Sequence, residues 1–241
     1  MTLTAVPAGL IADVRANGFA VWPTFVGPDR CVELAELAAE LSAGPYGLRF
    51  PKSTRVWDLY RHGAMFVELL ADTRLVAAVT ELLGKHYLLS DFSLNSVLPG
   101  LPVDAWHLDY PFNEMPGTLS GSILGLQCVL ALDPFTLTNG ATELIAGTHD
   151  RPRTPIAAEI GERFTFVAEP GTLLVMAAAT WHRSGLNAST APRTAILLSF
   201  VERWVRPMCD PPEPGPWSHT EELRILLGMS RPPETINGVP I

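Results

Sequence analysis

At Gly84 the residue pattern of this 241-residue chain changes period. Upstream, apolar residues recur every three or four positions. Downstream they come in short runs rich in β-branched and aromatic residues, cut by Pro, Gly and Asn. That switch restricts the fold to helices laid against a β core. Before it, Pro28-Asp29 opens a helix carrying Cys31, Leu34, Ala35, Leu37, Ala38 and Leu41, which Gly44-Pro45 ends. Met65, Phe66, Leu69 and Leu70 mark a short second helix. Asp72 or Thr73 caps a third, running through Leu75, Val76, Val79, Leu82 and Leu83. After the switch, strands are predicted over 86–92, 94–98, 104–110, 122–132, 163–168, 172–176 and 193–204, the spacing of a sandwich or jelly roll. The expectation is a mainly β fold with flanking helices, in one domain over 1–241. It divides into a mostly helical part (1–84), a β core (85–204) and a Pro-rich tail (205–241) with one short helix near 218–228.

Charge narrows the partners. The chain has 25 acidic and 17 basic residues, a net charge of −8, with no Lys/Arg cluster of the kind that holds nucleic acid or an anionic membrane. A small neutral or cationic substrate suits it better. The N-terminus lacks a basic stretch followed by a long apolar run, and no segment is apolar enough for a membrane span, so a cytoplasmic location is expected. Cys31, Cys128 and Cys209 are odd in number and lack C-x-x-C spacing, which fits reduced packing residues better than disulfides or a thiolate metal site.

Three residues with metal-ligating side chains fall among the predicted strands. His107 and Asp109, in AWHLDYPF, stand two apart, so on a strand they point the same way while Leu108 faces the other side. His182, in ATWHRSGLN, follows the apolar run 172–176 introduced by Pro170-Gly171. Two imidazoles and one carboxylate on a β scaffold form the facial ligand set that suits non-haem Fe(II) and leaves positions open for a cosubstrate and O₂. Alone, H-x-D also fits a solvent-facing strand or a turn, and a His beside Trp181 also fits a satisfied core residue. Arg193 adds a different chemistry. It enters the apolar run Ala195-Ile196-Leu197-Leu198, and a buried guanidinium needs an anion. A structural Asp or Glu would serve, and so would the distal carboxylate of 2-oxoglutarate, which Arg binds through two parallel hydrogen bonds. Gln127, amid Val129 and Ala131, also needs a partner, either the backbone or the cosubstrate.

Other segments extend the pattern. Gly18-Phe19-Ala20-Val21 and Trp22-Pro23-Thr24-Phe25 precede the first helix; Leu98-Pro99-Gly100 precedes Trp106-His107-Leu108-Asp109. Val129-Leu130-Ala131-Leu132-Asp133, Asn139-Gly140-Ala141-Thr142 and Ala146-Gly147-Thr148-His149 follow, and last come Trp181-His182, Asn187 and Arg193. In this order and spacing the chain resembles the phytanoyl-CoA dioxygenase (PhyH-like) family of Fe(II)/2-oxoglutarate oxygenases over most of its length. The resemblance implies a double-stranded β-helix (jelly roll, cupin-like) that binds iron through His107, Asp109 and His182 and the 2-oxoglutarate C5 carboxylate through Arg193. It further implies cosubstrate contacts at Thr142 and His149. The implied reaction consumes O₂ and 2-oxoglutarate, releases succinate and CO₂, and hydroxylates, desaturates or cyclises at an unactivated C–H. Ala146 in place of the usual proline, Val129 in place of an aromatic residue and the lack of a basic residue before Pro99 bear on pocket shape more than on iron. The retained Asp109 disfavours halogenation, where a small residue makes room for halide.

For the substrate wall the candidates are Trp57, Tyr60, Arg61, Phe92, Tyr110, Phe112 and Met115, which precede the core strands or follow the H-x-D; the loop 110–121 is long enough for a lid. Only Arg151 and Arg153 offer a basic pair for CoA phosphates, so an amino acid or natural-product intermediate fits better than an acyl-CoA. Two other functions share these residues: a cupin-like metalloenzyme that does not use 2-oxoglutarate, and a non-catalytic ligand-binding jelly roll. The oligomeric state has no signature in the sequence.

Overall fold

The computed structural model describes residues 5–100, 105–115, 122–151, 153–218 and 220–229, and the backbone of 235–236 and 239–240. The elements follow in order: α1 (Leu10–Asn17), β1 (Phe19–Trp22), α2 (Pro28–Ala43), β2 (Leu48–Arg49), β3 (Ser53–Val56), α3 (Ala64–Leu70), α4 (Thr73–Leu83) and β4 (Tyr87–Val97). Then come β5 (Gly125–Ala131), β6 (Thr142–Leu144), β7 (Phe164–Thr165), β8 (Leu173–Ala177), β9 (His182–Ser184), β10 (Arg193–Glu202), α5 (Glu221–Leu226), β11 (Thr235–Ile236) and β12 (Val239–Pro240). Seven strands form an antiparallel sheet in the order β1-β8-β5-β10-β4-β3-β2, and a smaller sheet, β7-β6-β9, faces it. This is the jelly roll.

Local chemistry explains the helices. Pro28 starts α2, and the Asp72 carboxylate caps α4 by accepting from the Arg74 and Leu75 backbone N–H groups. Their buried stripes (Cys31, Leu34 and Ala38 on α2; Leu75, Ala78, Val79 and Leu83 on α4) cover the outer face of the large sheet, meeting Phe92, Leu94, Leu126, Leu130, Ile196 and Leu198. Central β10 is covered on both faces and reads accordingly as an almost continuous apolar run. Cys31 and Cys128 sit in this core as buried thiols, while Cys209 is exposed.

The structure departs from the sequence expectation in several places. The first 84 residues are not simply a helical layer: β1 pairs with β8, and β2 and β3 extend the sheet beyond β4. α1 also lies there, unpredicted. The predicted strands 86–92 and 94–98 are one strand with a bulge, for β10 pairs Ser199 with Asp91 but Phe200 with Leu89, leaving Ser90 as the extra residue. The predicted strand 104–110 is reduced to one bridge between His107 and His182, because the next inward bond of the chain, from Asp109 N, goes to the Ala178 carbonyl at 2.8 Å instead of to β9. The predicted strand 163–168 shortens to β7 plus a bridge between Phe135 and Ala168.

Candidate active site

Hydrogen bonding in the small sheet sets the geometry of the three metal-ligating side chains. His107 and His182 exchange both backbone N–H···O bonds at 3.0 Å, which brings their rings to 4.3 Å between centroids. Asp109 reaches both: His107 Nε2 lies 3.8 Å from Asp109 Oδ1, and His182 Nε2 lies 3.4 Å from Asp109 Oδ2. One ligand atom from each residue falls within 4.8 Å of the others. The tautomers follow from the partners. His107 Nδ1 is 2.9 Å from the Ala105 carbonyl and His182 Nδ1 is 2.9 Å from the Thr180 carbonyl. A carbonyl can only accept, so both Nδ1 atoms carry the hydrogen and both Nε2 lone pairs face inward, the arrangement that orients imidazoles for a metal. Burial pushes the His182 imidazole toward its neutral form, against the opposing pull of Asp109.

These residues open on a cavity of about 460 Å³ between the two sheets, and Arg193 lines the same cavity. Arg193 is 2 % exposed. Its guanidinium stacks on Phe135 at 4.1 Å and donates to the Gly140 carbonyl, while Nε is buried with no hydrogen-bond partner. No carboxylate among the described residues forms an ion pair with it. Asp133, which offsets part of the burial, instead accepts from Thr194 N at 2.7 Å; burial pushes the guanidinium down to about 10. Arg183, also at the cavity, is already paired with Glu143 at 2.6 Å. Arg193 is thus a cation in a largely desolvated position with an unfilled donor, a suitable seat for a ligand carboxylate.

A family model, phytanoyl-CoA dioxygenase (PhyH), matches residues 14–195. The chain belongs to the PhyH family. Among curated relatives, the multifunctional dioxygenase ausE of Aspergillus calidoustus is 29% identical over 174 residues, covering 66% of this chain and 57% of that protein. The ausE of Penicillium brasilianum is 26% identical over 234 residues, covering 85% and 75%. This chain spans between 40% and 57% of the length of several such relatives. Among solved structures, EctD from S. alaskensis with bound Fe shares the fold with TM-score 0.71 and 21% identity, over 86% of this chain and 80% of that one. The epimerase SnoN in complex with Fe3+, alpha ketoglutarate and nogalamycin RO does so with TM-score 0.69 and 20% identity, over 96% and 94%.

Within this PhyH jelly roll the remaining sequence candidates separate. Thr142 and Gln127 are buried and line the cavity from opposite sheets, and Trp57 and Tyr110 line it as well. Residues 116–121 of the suggested lid lie outside the described residues. Five substrate candidates and one cosubstrate candidate are elsewhere. Phe92 points to the helical layer, where it meets Phe66 at 6.1 Å, because its β4 neighbours Asp91 and Ser93 take the opposite face. Tyr60 is buried against Trp217 at 4.8 Å, and Arg61 lies over both rings with an ion pair to Asp58 at 3.3 Å. Phe112 and Met115 pack in a separate apolar cluster with Leu108 and Trp181. His149 lines a different cavity with Arg15; its Nε2 donates to the Arg15 carbonyl at 3.0 Å. The small-residue turn before it directs the ring toward α1, where it crowds Gly18.

Sequence reasoning overlooked the polar face of β4. Asp91 and Asn95 line the cavity, and Ser93 Oγ donates to Asp91 Oδ2 at 2.7 Å. The signal was available: in SDFSLNSV the polar residues Asp91, Ser93 and Asn95 alternate with Phe92 and Leu94, the period of a strand with two different faces. Ser199 and Leu197 of β10 and Met176 of β8 complete this wall.

Proposed function

We propose that this chain is an Fe(II)- and 2-oxoglutarate-dependent oxygenase of the PhyH family that acts on a small molecule. The observation that carries the reading is one cavity holding both halves of the requirement: a converging His107, Asp109, His182 set with both Nε2 lone pairs inward, and a buried Arg193 without a carboxylate partner among the described residues. The donor set, two neutral nitrogens and one carboxylate oxygen, fits iron and keeps positions open. When bound, the iron activates O₂ as 2-oxoglutarate is converted to succinate and CO₂, and an unactivated C–H of the substrate is oxidised.

The chain's own part is placement. The Ala105 and Thr180 carbonyls hold the two imidazoles in one tautomer, so no proton has to move when metal arrives. Arg193 supplies a bidentate seat for the C5 carboxylate, and Thr142, on the strand that also carries the His182 partner Leu144, offers a hydroxyl to the same cavity. Phe135 beneath the guanidinium keeps water from its face. The substrate class we favour is an amino acid or natural-product intermediate, supported by the polar wall and by relatives named as multifunctional dioxygenases. Hydroxylation, desaturation and cyclisation differ in where the carbon is held, a matter of a few ångströms.

The test is spectroscopic and kinetic. Anaerobic addition of Fe(II) and 2-oxoglutarate should produce a weak visible charge-transfer band, and O₂ should then release succinate; His107→Ala should lose both. Metal-dependent turnover that needs no 2-oxoglutarate would overturn the reading in favour of a cupin-like metalloenzyme. Folded protein with a flat spectrum would favour a binding module.

A further inference from the structure

The cavity wall opposite the triad contains a carboxylate that none of the chemistry above uses. Asp91 is 6 % exposed. Among the described residues its one hydrogen bond comes from Ser93, and it forms no ion pair; the nearest cationic influence is Arg55, whose guanidinium lies over Trp57 at 5.3 Å. Burial raises its pKa to about 6, with Ser93 and Arg55 pulling the other way and Asp58 and Asp109 adding to the rise. A carboxylate kept this dry with a single hydroxyl partner is costly to the fold, and such groups at cavities are candidates for ligand contact.

The backbone shows how it came to face inward. The bulge at Ser90 shifts the alternation of β4, so Leu89 and Phe92, three apart, both reach the helical core. Ser90 and Asp91 are thereby released together from that face. Ser90 Oγ accepts from Met208 N at 3.1 Å, which locks the bulge, and Asp91 is aimed into the cavity.

Register then gives the level at which it sits. Met176, Gln127, Ser199 and Asp91 stand directly opposite one another across β8, β5, β10 and β4. β8 ends one residue after Met176, and five residues further the chain reaches His182. The row therefore lies at the triad end of the cavity. Arg193 is six residues away along β10, so the carboxylate seat and this row stand at different levels of the cavity, with Leu197 and its neighbour Val129 between them. Asp91 and Ser199 thus belong to whatever lies on the substrate side. Next to that row the wall is apolar: Val129 and Leu197 face the cavity.

We infer that Asp91 is the anchor for a protonated amine of the substrate, with Ser199 beside it and the apolar remainder of the molecule resting on Met176, Val129 and Leu197. A cationic nitrogen supplies the partner that the buried carboxylate lacks, and holding it at the level of the triad places the neighbouring carbons near the metal. The inference deepens the oxygenase reading, and rests on it for the statement that the molecule held is the molecule oxidised.

The experiment compares free amines with their neutralised forms. Free amino acids, their decarboxylated amines and the N-acetyl derivative of each are titrated by calorimetry into anaerobic protein with Fe(II) and 2-oxoglutarate, while the charge-transfer band is recorded. At least one free amine should bind, its N-acetyl derivative should bind about 30-fold or more weakly, and Asp91→Asn should remove that difference. Equal binding of acetylated and free forms overturns the inference, as does retained amine affinity in Asp91→Asn or the absence of amine binding to protein that shows the band. The acetylation comparison stands if the variant fails to fold. Amine selectivity without any band would instead sink the oxygenase reading and leave the subsite.

Discussion

Replacing Arg193 by Met should separate the cost of a buried charge from the benefit of its ligand. In the ligand-free protein the guanidinium has lost water and gained, among the described residues, the Gly140 carbonyl and the face of Phe135. A methionine loses those contacts and relieves the desolvation, so ligand-free stability should change by no more than about 1 kcal/mol. The cosubstrate complex should behave differently. Removing one partner of a buried charge pair costs about 2–5 kcal/mol, which raises the 2-oxoglutarate Kd about 30-fold or more; about 100-fold is the working value. At a concentration 100 times the wild-type Kd, binding stabilises the folded state by about 2.7 kcal/mol, or about 5–10 °C in Tm for a chain of this size. The variant at the same concentration sits near its own Kd and gains about 0.4 kcal/mol, roughly 1 °C. Differential scanning fluorimetry with Fe(II), with and without 2-oxoglutarate, reads both quantities. A variant that keeps more than half of the wild-type shift would show that Arg193 does not hold the cosubstrate. A variant whose ligand-free Tm falls by 10 °C or more would show instead that Arg193 is structural.

Further perturbations test other parts of the structure. Gly171→Ala should destabilise by more than about 3 kcal/mol in chemical denaturation, because a left-handed residue costs about 1–2 kcal/mol and its new Cβ would also lie 2.3 Å from the Val26 carbonyl oxygen; Gly147→Ala, equally left-handed but with open space, should cost only the conformational part. His149→Gln should lower Tm through the lost bond to the Arg15 carbonyl and leave the 2-oxoglutarate KM within about twofold, whereas a KM rise of about tenfold would return His149 to the cosubstrate site. Asp91→Asn should have a pH signature in ligand-free protein: the folded pKa, about 6, lies above the ordinary carboxylate value of 3.8, so the folded state binds the proton more tightly and Asp91 destabilises increasingly as pH rises from about 4 to 6. The variant should therefore gain stability over wild type across that window and keep the gain above it; a difference independent of pH would contradict the raised value.

The sequence made legible what depends on local pattern. The change of period at Gly84, the capped helix ending at Leu83 and the apolar run after Arg193 all appear in the structure because each is a short-range property. His107, Asp109 and His182 were legible for a related reason: only a few residue types ligate iron, and H-x-D places two on one side over a short distance. Long-range pairing was not. β1 lies about 150 residues from its partner β8, and nothing in Phe19–Trp22 announces that it closes a sheet edge instead of leading into a helix. Side-chain direction was the harder loss. The candidates for the substrate wall precede the core strands or follow the H-x-D in sequence, yet Phe92 faces the helices because, beyond the bulge, β4 alternates and its neighbours Asp91 and Ser93 take the cavity face. Tyr60, Phe112 and Met115 were drawn into other apolar clusters, where burial of large side chains outweighs nearness to a site. The bulge that turns Asp91 inward adds one residue to one strand, a feature with no composition of its own.

That extra residue also explains why the Pro-rich tail belongs to the site. Met208 N donates to Ser90 Oγ, and the Tyr110 hydroxyl donates to the Arg206 carbonyl. The stretch 206–208 is therefore pinned at two points, one on the β4 bulge beside Asp91 and one directly after Asp109. Met208 and Tyr110 both line the cavity. A straight β4 would leave Ser90 on the helical face and the tail without its bond; a tail without its bond would leave the bulge held only by the two flanking ladders. The bulge, the inward carboxylate and the stretch 206–208 are one structural unit, and it ties this wall of the cavity to the chain segment that carries two of the three metal-ligating side chains.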